Sequence, residues 1–174
     1  MLRFDAVSLR YHDGPVLQDF DLTVAPGEIV VLLGPSGCGK TSLLRLACGL
    51  VPAAGGGVVN TFRRTAVVFQ EPRLLPWSSA RDNVAFALLA QGEPRGVAHD
   101  RATTLLARLG FSAADMDKRP DALSGGMQSR VAVARALVAA PDLVLMDEPF
   151  AALDVGLRRD LQDLVREAAS ETGL

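Results

Sequence analysis

Apolar positions in this chain fall into short runs whose spacing changes from two to nearly four residues along its length. Leu2, Phe4, Ala6 and Leu9 suggest a first strand. Phe20, Leu22 and Val24 alternate with Asp21, Thr23 and Ala25 and suggest a second. Pro26-Gly27 reads as a turn into a buried strand over 28–33, Glu28 followed by five apolar residues. A helix is predicted over 40–48, with Leu43, Leu44 and Ala47 on one face. The glycine run over 53–57 reads as a further turn, and 66–69 as a short buried strand. From Pro72 the character changes. Segments 79–89, 98–110 and 124–140 read as helices, with Gln91-Gly-Glu-Pro94 separating the first two. Leu143–Met146 returns to a buried strand, and 154–172 is an amphipathic helix with Leu157, Leu161, Leu164 and Val165 on one side. An α/β core over 1–71 and 141–174 is therefore expected to carry an inserted helical block over 72–140, all within one domain.

The chemistry concentrates between the 28–33 strand and the helix after it. Gly34, Pro35, Ser36, Gly37, Cys38, Gly39, Lys40 and Thr41 fit the pattern G-x-x-x-x-G-K-[ST] of a phosphate-cradling loop. A strand feeding a glycine-rich turn into a helix N-terminus points backbone N–H groups inward, and the helix dipole favours negative charge there. Lys40 would reach the β- and γ-phosphates, and the Thr41 hydroxyl would ligate Mg²⁺. The chain has only two lysines, and one stands here. A second element follows Leu143–Met146: the strand runs straight into Asp147 and Glu148. A buried strand ending in a carboxylate can aim Asp147 at a Mg²⁺ beside the phosphates. Glu148 is then the candidate base for the attacking water. Two acids at a strand end are common by themselves; below a phosphate loop they acquire meaning.

Composition narrows the rest. A hydrophobic fraction of 49% supports a substantial core, and a net charge of −2 gives no electrostatic case for nucleic acid. No apolar run approaches the roughly 18 residues that span a bilayer. Asp5 interrupts any apolar stretch at the N-terminus, so no secretory signal is expected there. Cys38 and Cys48 read as free thiols, since a bridge from Cys38 would distort the loop it sits in.

Leu123-Ser-Gly-Gly-Met127 opens a helix with Ser124 placed as N-cap. The succession of residues 34–41, Gln70, Leu123–Gly126, Asp147-Glu148 and Ala152-Leu-Asp154 resembles the ATPase subunit of ATP-binding-cassette transporters across essentially the whole chain. Gln70 through Trp77 resembles the nitrate, sulfonate and taurine importer group in particular. The resemblance implies an α/β fold: a RecA-like P-loop NTPase core with an antiparallel β part at its N-terminus and an inserted α-helical signature subdomain. It implies ATP as ligand with Mg²⁺, the loop contacts extending to Ser42. Tyr11 would stack on adenine, and Gln70 would contact Mg²⁺ and the attacking water. Ser124, Gly125 and Gly126 would close over ATP held by a second, head-to-tail subunit, and Asp154 would tune the two sites across that dimer. Transmembrane permease subunits would dock near Gln70–Trp77 and hold the protein peripherally at the cytoplasmic face of the cell membrane.

There are departures from the family pattern. Met127 stands where many members carry Gln, and Thr41-Ser42 inverts a commoner order. Members continue into a further strand ending on a switch histidine. His12 and His99 are the only histidines here and neither matches it, so ATP binding with slow turnover is expected of these 174 residues. Two alternatives stand beside the importer motor. One is a soluble cassette ATPase of DNA repair or translation, which would carry arms, zinc inserts or basic patches. The other is an ATP-binding fragment with little turnover.

Overall fold

A computed structural model describes residues 1–12, 14–149, 155–172 and 174. The elements run β1 (Leu2–Tyr11), β2 (Gly14–Val24), α1 (Lys40–Ala47), β3 (Gly55–Asn60), β4 (Thr65–Val68), α2 (Ala80–Leu89), α3 (Arg95–Arg108) and α4 (Ala113–Met116). After a 3₁₀ turn at Pro120–Ala122 come α5 (Gly125–Leu137), β5 (Leu143–Met146) and α6 (Val155–Thr172). An antiparallel sheet of order β2-β1-β3 occupies the N-terminal half, and β4 pairs with β5 in parallel.

In β1 the expected alternation is broken once. Leu2 and Phe4 are buried, but Ala6 is exposed and Val7 takes the inward place. The pairing with β2 shifts between Phe4 and Val7, and Ala6 has a φ of 46°. This bulge changes which parity faces the core. Its exposed Ala6 N–H is taken by the Asp21 carboxylate at 2.8 Å.

The bulge also explains why the glycines predicted as a turn form part of β3. A Cβ on Gly56 would lie 2.2 Å from the Ala6 carbonyl oxygen and 2.3 Å from that of Asp5. Only a residue without a side chain lets β3 approach a kinked β1 this closely, and a φ of +72° at Gly56 adds a second reason.

Segment 28–33 departs from expectation. It follows the predicted turn, with Glu28 N–H donating to the Ala25 carbonyl at 3.2 Å. Yet it forms no strand pairing, and Ile29, Val31 and Leu33 are 64%, 71% and 90% exposed. An apolar run signals burial, but ladder bonds need a neighbouring backbone. Among the described residues β5 is paired only with β4, on one edge. Between 28–33 and β5 lies an apolar cavity of 440 Å³, walled by Ile29, Val31, Leu43, Leu145 and Val165 among others.

Two hydrophobic clusters flank β4 and β5. Leu143 and Leu145 pack with β1, Val24 and α1 residues Leu43, Leu46 and Ala47. Val68 packs with the helices on the opposite side, through Val84, Leu88, Leu106, Val131, Val133, Leu161 and Leu164. Leu161 and Leu164 thus occupy the predicted core face of α6, with Val165 packed beside them; the side chain of Leu157 lies outside the described residues. The parallel pair is anchored at its start by Asp142, whose carboxylate accepts from the Arg63 and Arg64 N–H groups at 3.2 and 3.1 Å. The Arg64 backbone bond is the largest of the contacts that hold this carboxyl below the usual range. α2 and α5 each begin on a serine cap: Ser79 Oγ accepts from Asp82 N–H at 3.1 Å and Ser124 Oγ from Met127 N–H at 3.2 Å. α3 starts at Arg95, one turn earlier than its apolar pattern suggests, because Pro94 can precede a first helical turn without losing a bonded N–H. Among the described residues no helix is long and apolar enough to cross a membrane.

Candidate nucleotide site

Segment 28–33 leads into the glycine-rich loop, and α1 begins directly at Lys40. The loop can turn into the helix because Gly39 has a φ of +98°. A Cβ there would also meet Val16 Cγ1 at 2.9 Å, so the β2 end of the hairpin packs directly on the loop. α1 has no side-chain cap and no acid in its first turn. Its leading N–H groups therefore lack intrahelical partners, as in every helix start, and face the loop's concavity. The Lys40 ammonium folds back over the loop, donating to the Gly34 and Pro35 carbonyls at 2.8 and 2.9 Å and lying 3.8 Å from Cys38 Sγ.

β4 and β5 bring the second half of the site. Their register pairs Val68 with Met146 at the C-terminal ends. Gln70 and Glu148 each follow two residues later, so they leave the sheet level with one another. Gln70 Nε2 donates to Glu148 Oε2 at 3.3 Å. Glu148 has a φ of 47°. That left-handed backbone costs a non-glycine residue on the order of 1–2 kcal/mol, and strain of this kind collects at functional positions.

A polar cavity of 420 Å³ joins the halves. Lys40, Thr41 and Ser42 line it from the α1 side, with Ser36, Gly37 and Gly39 from the loop. Gln70 and Glu148 line it from the sheet, and Tyr11 from the end of β1. Tyr11 is 41% exposed, so its ring is open to a planar partner. Of the residues singled out in the sequence, these are the ones brought together around one space.

The others lie elsewhere. Gly34 and Pro35 meet the site through the carbonyls that hold Lys40. Asp147 is buried at the end of β5, its N–H donating to the Val68 carbonyl at 2.9 Å, and it borders the apolar cavity instead of the polar one. Ser124, Gly125 and Gly126 open α5 and do not line the polar cavity. Asp154 lies outside the described residues. Val16 is a lining residue that the sequence offered no sign of, since an apolar residue in a hairpin reads as packing.

The donor set suits a hard cation: a hydroxyl from Thr41, an amide from Gln70 and a carboxylate from Glu148 share one polar space. No group of three or more His, Cys, Asp or Glu side chains that could hold a metal by themselves occurs among the described residues. A cation here would therefore complete its shell with phosphate and water, as Mg²⁺ commonly does.

A glycine-rich loop leading into a helix N-terminus, facing a glutamine and a glutamate at the ends of two parallel strands, is the arrangement of a P-loop nucleotide-binding cassette. Residues 17–151 match the ABC transporter family, and the chain belongs to that family. An aliphatic sulfonates import ATP-binding protein of Pseudomonas savastanoi pv. phaseolicola is 47% identical over 88% of this chain and 62% of its own length. A taurine import ATP-binding protein of Chromobacterium violaceum is 44% identical over 99% of this chain and 69% of its own. The chain thus spans between three fifths and seven tenths of the length of these relatives. Among solved structures, a dimeric post-hydrolysis state of an ATP-binding cassette bound to ADP and Pi superposes with a TM-score of 0.92 at 28% identity, covering 99% of this chain and 84% of that one.

Proposed function

We propose that this chain is the ATP-binding and ATP-hydrolysing part of a motor that drives a membrane importer for a small solute, with the sulfonates as the solute class its relatives suggest. The observation that carries this reading is the polar cavity, where the loop, Gln70 and Glu148 face one another. The triphosphate enters beside the α1 N-terminus, where free N–H groups and the dipole favour negative charge. Lys40 exchanges the Gly34 and Pro35 carbonyls for phosphate oxygens. Tyr11 takes the base on its exposed face.

Glu148 accepts a proton from the attacking water, and the Gln70 amide orients both that water and the carboxylate. Thr41 and Gln70 would hold Mg²⁺, with Asp147 as the acid on the metal side. The ion supplies charge neutralisation on the phosphates. Residues 72–140 act as the helical subdomain. Ser124, Gly125 and Gly126 present an N–H-rich helix start to the nucleotide of a second, head-to-tail copy. Permease subunits dock near Gln70–Trp77 and hold the motor peripherally at the cytoplasmic face of the membrane. ATP favours the closed pair over the open one, and that difference in affinity is the work available for transport.

Glu148→Gln tests the assignment. The amide keeps the shape and loses the base, so ATP affinity should stay within about threefold while turnover falls by roughly 10² or more. Light scattering with ATP and Mg²⁺ should show dimer. A variant that hydrolyses ATP at the parental rate removes Glu148 from the base role.

A further inference from the structure

Gln70 sits in a loop whose shape is set by residues well away from the nucleotide. Immediately after β4, the chain from Phe69 to Arg73 folds back on itself. The Arg73 guanidinium lies over the Phe69 ring, 4.5 Å from its centroid, and closes the loop. Arg73 has a φ of 46°, so the chain reverses sharply there. The loop is then fastened from outside. Arg135, in the last turn of α5, donates from Nη1 to the Arg73 carbonyl at 3.0 Å and from Nη2 to the Pro72 carbonyl at 3.0 Å.

One planar fork holds two successive carbonyls here, one nitrogen to each; a lysine ammonium can also reach two carbonyls, as Lys40 does, but as a flexible point charge without the fork's fixed geometry. Both bonds are charge-assisted, hence stronger than neutral ones. Burial pushes the Arg135 guanidinium down, so placing it here carries a desolvation cost that the two carbonyls offset. The helix C-terminus alone would be served equally well by a fully exposed cation, whereas Arg135 is half-buried against the loop.

We propose that Arg135 is a positioning residue for Gln70: by gripping the Pro72 and Arg73 carbonyls it fixes the 69–73 loop, and with it the distance of the Gln70 amide from Glu148. This rests on the role given to Gln70 above. It also ties the Gln70 loop to the same helix whose other end is the Ser124 cap, about 16 Å away along α5. A shift of α5 then moves Gln70 with it.

The test is a double-mutant cycle in the full-length protein, reading steady-state ATP hydrolysis over a range of ATP and Mg²⁺. Gln70→Ala and Arg135→Met should each lower kcat by about tenfold, the scale of losing charge-assisted contacts that orient a working group. Each should raise the Mg²⁺ concentration for half-maximal rate, and KM for ATP should move by less than about threefold, because uniform binding is untouched. The double variant should be no slower than Gln70→Ala alone. Arg135→Lys, which keeps the charge but loses the rigid fork, should recover part of kcat. It carries the same reading, in cycle with Gln70→Ala, if Arg135→Met does not accumulate folded.

Additive losses, roughly a hundredfold in the double variant, would mean that Arg135 acts independently of Gln70 and would overturn the proposal. So would an unchanged kcat in Arg135→Met. If Gln70→Ala itself leaves turnover unchanged, the role of Gln70 falls first and the proposal falls with it, which separates the two failures.

Discussion

Asn83→Ala should destabilise the protein by about 3 kcal/mol while loosening one particular loop. Asn83 stands in α2 and is fully buried. Its Oδ1 accepts from Leu75 N–H at 2.7 Å. Its Nδ2 donates to the carbonyls of Leu75, Ser78 and Ser79 at 3.2, 3.2 and 3.0 Å. The amide carries two hydrogens, so three acceptors share them, and the side chain supplies about three hydrogen bonds in all. At a net worth near 1 kcal/mol each, their loss gives about 3 kcal/mol; the Leu75 N–H left without a partner pushes the figure upward. Denaturant unfolding followed by circular dichroism reads this as a lower midpoint at unchanged slope. A second readout is built in. Trp77 is the chain's single tryptophan, lies between the pinned residues Leu75 and Ser78, and is 69% exposed. Its fluorescence anisotropy should fall in Asn83→Ala under fully native conditions, since the loop is freed before the fold is lost. Asn83→Asp, which keeps the acceptor but buries a charge and drops the donors, should be at least as destabilising. A stability change below about 1 kcal/mol together with unchanged Trp77 anisotropy would refute the assignment of these bonds.

Three further outcomes follow from the geometry. Lys40→Ala should weaken ATP binding by roughly 10- to 100-fold in calorimetric titration, the loss of one charge-assisted phosphate contact. Gly56→Ala should destabilise by several kcal/mol in thermal unfolding, because the new Cβ meets two backbone carbonyl oxygens of β1 at 2.2 and 2.3 Å and neither can retreat without unpairing the sheet. Asp115 has its carboxyl lowered to about 2 by the Lys118 side chain and then the Ser112 hydroxyl. A depressed folded value means stability that is fully present above the ordinary carboxylate range and lost as pH falls towards about 2. The deficit of Asp115→Asn relative to the parent should therefore be constant at neutral pH and shrink below about pH 4.

The loop and Glu148 were legible as neighbours of one polar space because their chemistry is local: fixed spacing beside an apolar strand says where an anion or a proton acceptor belongs. Ser124 was legible as a cap for the same reason. What could not be read depends on distant neighbours. The apolar run at 29–33 predicts a strand, but whether a partner backbone lies alongside is a question of topology. The glycines at 55–57 look like a turn until the Ala6 bulge leaves room at position 56 for nothing but a glycine. Asn83 and Arg135 look like ordinary helix polars, since their value comes from carbonyls several residues or a whole element away. Asp147, expected beside the phosphates, is buried just past the end of β5 and lines the apolar cavity together with Lys40 and Glu148.

The level exit of Gln70 and Glu148 from two parallel strands makes the chain its own ruler. Val68 and Met146 are paired, and each working residue stands two steps beyond. Each residue of strand advances by about 3.3 Å, the same as the 3.3 Å separating the Gln70 amide from the Glu148 carboxylate. A single deletion between Thr65 and Gln70, or between Leu143 and Glu148, would thus displace one partner by the whole length of the contact, whatever residues remained. These two short stretches should be intolerant of any change in length even where they accept changes in identity, whereas the turn at 91–94 has no such calibration to lose. Anyone grafting this site onto another parallel sheet would have to transplant the count of residues before transplanting the residues themselves.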